Sequence, residues 1–129
     1  MMRNRQAPHI DFRDLNGLMG KIVPSNVDMM IERKGYFLVG EWKREGESIS
    51  IGQEILLKRL AAVPKFVVLI IQGHTTDSVM VVDEFSYMDR NGKLTALGDT
   101  VDKFKQFLVH WKKTAEDYSE REQHEGVHQ

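Results

Sequence analysis

The chain has 129 residues, of which 41% are hydrophobic and 29% charged, and this composition excludes wholesale disorder. It has a formal net charge of −1 and no cysteine, so disulfides and a thiolate zinc site are also excluded. No apolar run approaches the roughly 20 residues that a membrane span needs, and residues 1–8 lack the apolar segment of a signal peptide. We therefore expect a cytoplasmic protein with no membrane partner.

Residues 11–21 predict a short helix near the start of the chain. Its apolar residues recur at helical spacing: Phe12, Leu15, Leu18 and Met19. Gly17 weakens this helix, because glycine has a low helix propensity. Pro24 favours an extended segment after it. We expect the apolar stripe to dock the helix on the rest of the domain.

Residues 26–33 and 36–43 predict the two strands of a β-hairpin. Both segments are rich in β-branched, aromatic and methionine side chains, which suit a half-buried pleated surface. Lys34 and Gly35 lie between them, and glycine readily adopts the positive φ that a tight turn requires. The sequence therefore predicts an antiparallel pair joined by a two-residue turn.

The length of this turn decides which polar residues meet. A two-residue turn places Asp28 directly opposite Glu41 and Asn26 opposite Lys43. A three-residue turn would place Asp28 opposite Gly40 instead and would move Glu41 to the other face of the sheet. The shorter turn therefore brings two carboxylates together, and the longer turn separates them.

With the two-residue turn, one face of the hairpin is polar and the other apolar. Asp28, Glu41 and Lys43 share the polar face, because side chains alternate along a strand. The opposite face carries Val27, Met29, Ile31, Tyr36, Leu38 and Trp42. Directly opposed like charges destabilise a sheet, so a cation should accompany the two carboxylates. The sequence therefore predicts a Mg²⁺ or Mn²⁺ site, since hard cations prefer carboxylate oxygens.

Residues 50–63 predict a helix that ends before Pro64. Gln53 lies in the middle of the apolar arc of this helix. A buried amide without a hydrogen-bond partner costs roughly 1–3 kcal/mol, so Gln53 needs a partner. It either binds the backbone of Ser50 in a capping box or points over the polar face of the hairpin. Both interpretations remain open on the residues alone.

These polar residues follow one another in a characteristic order: Asp28, twelve further residues, Glu41-Trp42-Lys43, then Ser50 and Gln53. The pattern resembles the motif of the PD-(D/E)XK nuclease superfamily, most closely its VRR-NUC-like and small phage-encoded branches. The resemblance covers about residues 24–62. A short motif of this kind is a hypothesis that the structural context must support.

The resemblance implies a catalytic role for four residues: Asp28, Glu41, Lys43 and Gln53. Asp28 and Glu41 would hold one or two Mg²⁺ or Mn²⁺ ions together with the backbone carbonyl of Trp42. Lys43 would orient a water molecule, and Gln53 would position that water or a neighbouring phosphate.

Members of the superfamily often supply a further acidic residue from their first helix. Asp11 and Asp14 are the only candidates for it here. Asp11 has a simpler alternative role, since it could cap the start of the first predicted helix.

Basic residues gather in the sequence around this motif: Arg33, Lys34, Lys43, Arg44, Lys58, Arg59 and Lys65. We expect Arg44, Lys34 and Lys58 to contact DNA, whose phosphates attract cations. The alternative is that these side chains form an ordinary solvated surface. The acidic residues gather near the C-terminus instead: Glu116, Asp117, Glu120, Glu122 and Glu125.

Residues 65–72 are continuously apolar and predict a central strand buried on both faces. The helix before this strand would make a βαβ crossover with the hairpin. Residues 78–87 predict another strand, and residues 89–92 a turn. His74 lies in the loop after the central strand, where it either contacts substrate or is a solvated loop histidine.

Residues 99–118 predict the longest helix. Its apolar residues form one stripe: Val101, Phe104, Leu108, Trp111, Ala115 and Tyr118, flanked by Phe107. The stripe indicates either core packing or the interface of a homodimer. Residues 119–129 predict a disordered tail, which leaves residues 1–118 as a single nuclease-like domain.

We therefore expect an α/β fold, and the resemblance implies a restriction-endonuclease-like mixed β-sheet, with a hairpin and a βαβ crossover, flanked by helices. It also implies a metal-dependent DNA endonuclease that hydrolyses phosphodiester bonds. The short chain leaves no room for a sequence-reading domain, which favours branched or junction DNA as substrate. The alternatives are a catalytically inactive module that binds nucleic acid or protein, and a purely structural dimer. A phage origin, and with it the host cytoplasm, is implied only by the resemblance.

Overall fold

The computed structural model describes residues 12–127, with side chains described up to residue 124. Within this range a 3-10 turn, five strands and two helices follow in chain order: Arg13–Leu15, β1 Met29–Arg33, β2 Tyr36–Lys43, α1 Ile51–Ala61, β3 Phe66–Thr76, β4 Val79–Met88, β5 Leu94–Gly98 and α2 Val101–Val127.

The strands form a sheet in the order β1-β2-β3-β4-β5. β2 and β3 run parallel, whereas the other neighbouring pairs are antiparallel. α1 connects β2 to β3 and so completes a βαβ crossover. The predicted α/β class and the mixed sheet, with its hairpin and crossover, are therefore confirmed.

The two helices cover opposite faces of the sheet, which we call the α1 face and the α2 face. The core on the α1 face consists of Val39, Leu57, Val68, Ile70 and Met88. The core on the α2 face consists of Leu38, Leu69, Ile71, Val82, Phe85, Phe104 and Trp111. Successive residues of β2 and β3 alternate between these two cores, so both strands are buried on both sides, as predicted for the central strand.

The apolar stripe of α2 packs against the sheet of its own chain. Phe104, Trp111 and Ala115 are buried, and Phe104 meets Phe85 edge-to-face with 5.3 Å between ring centroids. Core packing therefore explains the stripe. The stripe no longer supports the predicted homodimer. The helix also continues to Val127, so residues 119–127 are helical where we expected a disordered tail.

Ion pairs to the hairpin and to the residue before β3 connect the second half of α2 to the sheet. Arg33 Nε donates to Glu116 at 2.6 Å, and Lys65 Nζ donates to Glu122 at 3.2 Å. The hydroxyl of Tyr36 also donates to Glu122, at 2.6 Å. Two of the acidic residues near the C-terminus therefore have basic or hydroxyl partners in and near the hairpin. The charge pattern of the sequence alone does not reveal these pairings.

The predicted N-terminal helix is wrong within the described residues. Only a 3-10 turn forms there, and Gly17 and Gly20 adopt positive φ, which a right-handed helix cannot accommodate. Leu18 and Met19, which we expected to dock the helix, are exposed. Residue 11 lies outside the described part of the chain.

The remaining differences concern strand lengths. β5, Leu94–Gly98, was not predicted, and β3 runs on to Thr76 beyond the predicted end at residue 72. The turn after β4 forms as predicted, with the Asp89 carboxylate accepting from the backbone N–H groups of Asn91 and Lys93. In the described part of the chain neither helix has the length and apolar character needed to cross a membrane.

Candidate active site

The register of the hairpin decides whether the predicted acids can meet. β1 and β2 pair from Arg33 opposite Tyr36 to Met29 opposite Gly40. Lys34 and Gly35 both have positive φ, 55° and 83°, as a two-residue type I′ turn requires. The two-residue turn is therefore confirmed, and the three-residue alternative is wrong.

Asp28 directly precedes β1 and ends the pairing of the two strands. Its carboxylate accepts a hydrogen bond from the backbone N–H of Trp42 at 2.9 Å, a donor that further strand pairing would otherwise use. The predicted pairing of Asn26 with Lys43 is consequently wrong, since β1 begins at Met29. Asp28 still lies on the α1 face, because Met29 points to the α2 core.

Glu41 lies on the same face and is one of the two buried polar residues of the described chain, with 4% of its surface exposed. Burial raises the pKa of its carboxyl, and the charge of Asp28 and a hydrogen bond with Asp28 raise this pKa further. Lys43 lowers it through its opposite charge. The structure therefore brings Asp28 and Glu41 together, as predicted from their alternation.

Lys43 and Gln53 complete a small hydrogen-bonded cluster around Glu41. Gln53 Nε2 donates to Glu41 Oε1 at 2.8 Å, and Lys43 Nζ donates to Gln53 Oε1 at 2.8 Å. The Lys43 ammonium also lies 3.5 Å from Glu41 Oε1, with 12% of its side chain exposed. All four residues that the motif pointed to, on the hairpin and on α1, therefore belong to one site.

Gln53 both caps α1 and points over the polar face of the hairpin, the two arrangements between which the sequence could not decide. Its backbone N–H donates to Ser50 Oγ at 3.2 Å, and its side-chain oxygen accepts from the Ser50 N–H at 3.4 Å, which makes a capping box. The same side chain binds Glu41 and Lys43. The start of α1 is thereby tied to the polar end of β2.

Two neighbouring carboxylates fit a hard divalent cation such as Mg²⁺, which commonly uses one or two carboxylates and takes its other oxygens from water and substrate phosphate. Within residues 12–127 no group of three or more acidic or histidine side chains is arranged to hold a metal. Asp14 lies within this range and does not join Asp28 and Glu41 in such a group. Asp11 lies outside the described residues. The Trp42 carbonyl as a further ligand stays a prediction.

An open groove of about 790 Å³ leads to this cluster. It forms where β2 ends at Lys43, paired with Gln72, while β3 continues to Thr76. Its lining comprises Asp28, Trp42, Lys43, Arg44, Glu47, Gly73, His74, Thr75 and Met80. Asp28 and Lys43 thus belong both to the cluster around Glu41 and to the lining of this open groove.

The three residues that we predicted to contact DNA do not lie together. Arg44 lines the groove. Lys34 lies in the turn at the other end of β2, roughly 23 Å from Lys43 at the usual rise of a strand. Lys58 lies on α1 beyond Gln53 and pairs with Glu54 at 3.4 Å. A contact between a ligand in the groove and Lys34 or Lys58 would therefore require a substrate that extends well beyond it.

The motif does not include the residues that β3 and β4 contribute to the groove: Gly73, His74, Thr75 and Met80. We predicted that His74 lies in a loop, but it belongs to β3. Gly73 is the feature of the sequence that could have indicated this part of the groove, since a glycine inside a strand often marks a bulge or a close approach of two backbone segments.

Three kinds of comparison with known proteins were negative. No model of a protein family matches this chain, and neither a curated protein nor a solved structure matches it. The resemblance to the PD-(D/E)XK superfamily therefore depends on the motif residues and on their arrangement in the structure.

Proposed function

We propose that this protein is a DNA endonuclease that requires Mg²⁺ or Mn²⁺ and hydrolyses phosphodiester bonds, with a preference for branched or junction DNA. The observation that carries the proposal is the pair of carboxylates, Asp28 and Glu41, together with the Lys43 ammonium and the Gln53 amide at the end of a groove. This combination is also the one that the motif resemblance implies.

The energetics of the cluster favour a function over a purely structural role. A buried carboxylate next to a second carboxylate is costly, and a protein gains nothing in stability from such a pair. The pKa of Glu41 is raised, which shows that its surroundings penalise the charge. Perturbed carboxyl groups at the edge of a cleft are typical of sites that bind a cation or perform acid–base chemistry.

Each residue of the cluster has a distinct part in this proposal. Asp28 and Glu41 would hold the cation. A bound Mg²⁺ or Mn²⁺ would lower the pKa of a coordinated water and stabilise charge on the phosphate under attack. The Lys43 ammonium would lie near that phosphate and would offset its developing negative charge. Gln53 holds Lys43 and Glu41 in position, because it binds both.

Binding of the DNA itself would depend on cations that contact the phosphate backbone. Arg44 lies in the groove beside Lys43 and is placed for such a contact. Backbone contacts of this kind release counterions, so binding should weaken as salt is added.

The test is to incubate the protein with branched, single-stranded and plasmid DNA in Mg²⁺, Mn²⁺ or EDTA. We expect cleavage with either metal, none in EDTA, and none by Lys43→Ala, which should still bind DNA. Lys105→Ala, on the exposed surface of α2, is the matched control and should cut like the wild type.

Cleavage that persists in EDTA, or that Lys43→Ala retains undiminished, would contradict the proposal. Binding of DNA without cleavage under any of these conditions would identify the protein as an inactive binding module instead.

A further inference from the structure

The hairpin that joins β3 to β4 extends past the end of β2. β2 pairs with β3 as far as Gln72, whereas β3 and β4 stay paired up to Thr76 and Val79. We call the segment Gly73–Val82 the arm. The groove lies beside the free edge of β3 beyond the end of β2, and the arm contributes His74, Thr75 and Met80 to its lining. His74 pairs with Val81 and Thr75 pairs with Met80, so His74 and Met80 line the groove from the two opposite faces of the arm.

The arm is fixed at its base by a tight packing contact. The register of β3 and β4 shifts between Gln72 and Gly73, which marks a β-bulge. A Cβ atom on Gly73 would lie 2.1 Å from the carbonyl oxygen of Val81 and 3.2 Å from the Trp42 ring. A Cβ atom does not fit at this position without a shift of the backbone, so the close approach of β3 and β4 at the base of the arm requires glycine.

Alternation along β3 places His74 on the side of the catalytic cluster. Gly73 faces the Trp42 ring on the α2 face, so His74 points to the α1 face, where Glu41 and Lys43 lie. One strand spacing and a two-residue step put its Cα roughly 8 Å from that of Lys43. Phosphates that follow one another in a nucleic-acid strand are separated by a comparable distance.

Besides Lys43, two basic side chains line the groove, Arg44 after β2 and His74 on the arm. His74 is exposed, and among the described residues no hydrogen bond or ion pair engages either side chain. The acidic residues of the lining are Asp28 and Glu47. Asp28 is placed to hold the cation, and Glu47 accepts a hydrogen bond from the Arg44 N–H at 3.1 Å.

Two apolar side chains are exposed on the arm directly after its polar turn. Met80 is 41% exposed and Val79 is 62% exposed. The turn residues Asp77 and Ser78 both have positive φ, 51° and 64°, where glycine is the ordinary choice. Methionine is flexible and polarisable, and it adapts well to flat apolar ligands such as bases.

We propose that the arm grips a DNA strand next to the site, with His74 contacting a phosphate adjacent to the scissile one and Met80 packing against an unpaired base. This inference rests on the proposed nuclease function and identifies the part of the chain that recognises branched DNA. A fully paired duplex buries its bases in the stack, so it offers Met80 no surface, whereas a strand leaving a branch point does.

The test uses His74→Ala and Met80→Ser, with His110→Ala and Val109→Ser on the exposed surface of α2 as matched controls. Binding to labelled branched DNA and to a duplex of the same sequence is measured by fluorescence anisotropy in Ca²⁺, with a gel to confirm that no product forms. Cleavage kinetics are then measured in Mg²⁺, and thermal unfolding confirms that each variant is folded.

We expect His74→Ala to weaken binding of branched DNA by about tenfold, the effect of losing one charge-assisted hydrogen bond. Met80→Ser should weaken binding of branched DNA but not of the duplex. In cleavage, both variants should raise KM more than they lower kcat. The two controls should behave like the wild type.

If the wild type cuts DNA and both arm variants match it within about twofold, the arm proposal is overturned while the nuclease proposal stands. If the wild type binds but never cuts, the nuclease proposal falls, and weaker binding by the arm variants still supports the arm. Failure of the wild type to bind any of the DNAs would overturn the arm proposal as well.

Discussion

Asp28 accepts a hydrogen bond from the backbone N–H of Trp42 at 2.9 Å, and this bond holds its carboxylate beside that of Glu41. One acid lies just before β1 and the other within β2. The pair forms because the two-residue turn sets the register and because the Asp28 side chain replaces the next backbone partner of the ladder. A slip of one residue would place Glu41 on the opposite face of the sheet.

Replacing Glu41 with glutamine should stabilise the metal-free protein and abolish cleavage. Burial and Asp28 raise the pKa of Glu41, so its ionised form lowers stability in the native state. We expect Glu41→Gln to raise the free energy of unfolding by about 1–2 kcal/mol at pH 8 in EDTA. Urea unfolding of both proteins measures the difference.

The same pKa shift predicts how this difference depends on pH. A carboxyl with a raised native pKa stabilises the fold while it is protonated, and this stabilisation is lost as the pH rises through the raised value. The advantage of Glu41→Gln should therefore shrink as the pH falls toward the ordinary range of a glutamate. An advantage that is equally large at pH 4 would contradict the assignment.

The two roles of Gln53 can be separated with its capping partner. Ser50→Ala removes the cap of α1 but leaves the bonds from Gln53 to Glu41 and Lys43, and it should lower stability by about 1 kcal/mol. Gln53→Ala removes the bonds to Glu41 and Lys43 and the bond that the Ser50 N–H donates, but the backbone N–H of residue 53 can still donate to Ser50 Oγ. We expect the serine variant to keep most of its cleavage activity and the glutamine variant to lose it. Equal losses of activity in the two variants would mean that only the helix cap matters.

Gly73→Ala should disturb the arm, because a Cβ atom would lie 2.1 Å from a backbone oxygen. We expect a loss of about 1–3 kcal/mol in the free energy of unfolding and weaker binding of branched DNA. Gly52→Ala is the matched control, since Gly52 lies in α1 with open space around it. That variant should be unchanged or more stable by up to about 1 kcal/mol. Similar behaviour of the two variants would argue against the close approach of β3 and β4 at the base of the arm.

The second half of α2 should loosen when its acidic residues are neutralised. Hydrogen bonds from Tyr36 and Lys65 lower the pKa of Glu122, and those from Arg33 and Lys112 lower that of Glu116. A lowered pKa gives stability above the ordinary carboxyl pKa, and this stability is lost as the pH falls through the lowered value.

Hydrogen exchange at neutral pH should therefore be faster in residues 112–124 of Glu122→Gln than in the wild type, while the exchange of β3 stays the same. The Tyr36 hydroxyl, whose pKa is raised to about 12 chiefly by the bond to Glu122, should titrate at lower pH in this variant. An unchanged tyrosine titration would show that this bond does not persist in solution.

The sequence predicted the site better than it predicted the ends of the chain. Asp28, Glu41 and Lys43 could be placed on one face because alternation and a two-residue turn are local rules. The N-terminal stripe misled us, because helical spacing says nothing about the positive φ of Gly17 and Gly20. The tail was predicted to be disordered because chain ends are often poorly ordered unless tertiary contacts hold them.

Long-range contacts explain what the sequence could not reveal. Glu116 and Glu122 find their partners on the hairpin and directly before β3, more than 50 residues earlier in the chain. The groove likewise depends on β3 extending past β2, which depends on the pairing of β3 with β4. The cluster of polar residues is thus visible in a short stretch of sequence, whereas the groove beside it is not.

A crystal soaked in Mn²⁺ tests the central claim most directly, because the anomalous signal of manganese locates the ion without reference to activity. We predict a peak bound by carboxylate oxygens of both Asp28 and Glu41, at about 2.1 Å, and no such peak in Asp28→Asn. A wild-type crystal with no peak between these two residues at saturating Mn²⁺ would contradict the account.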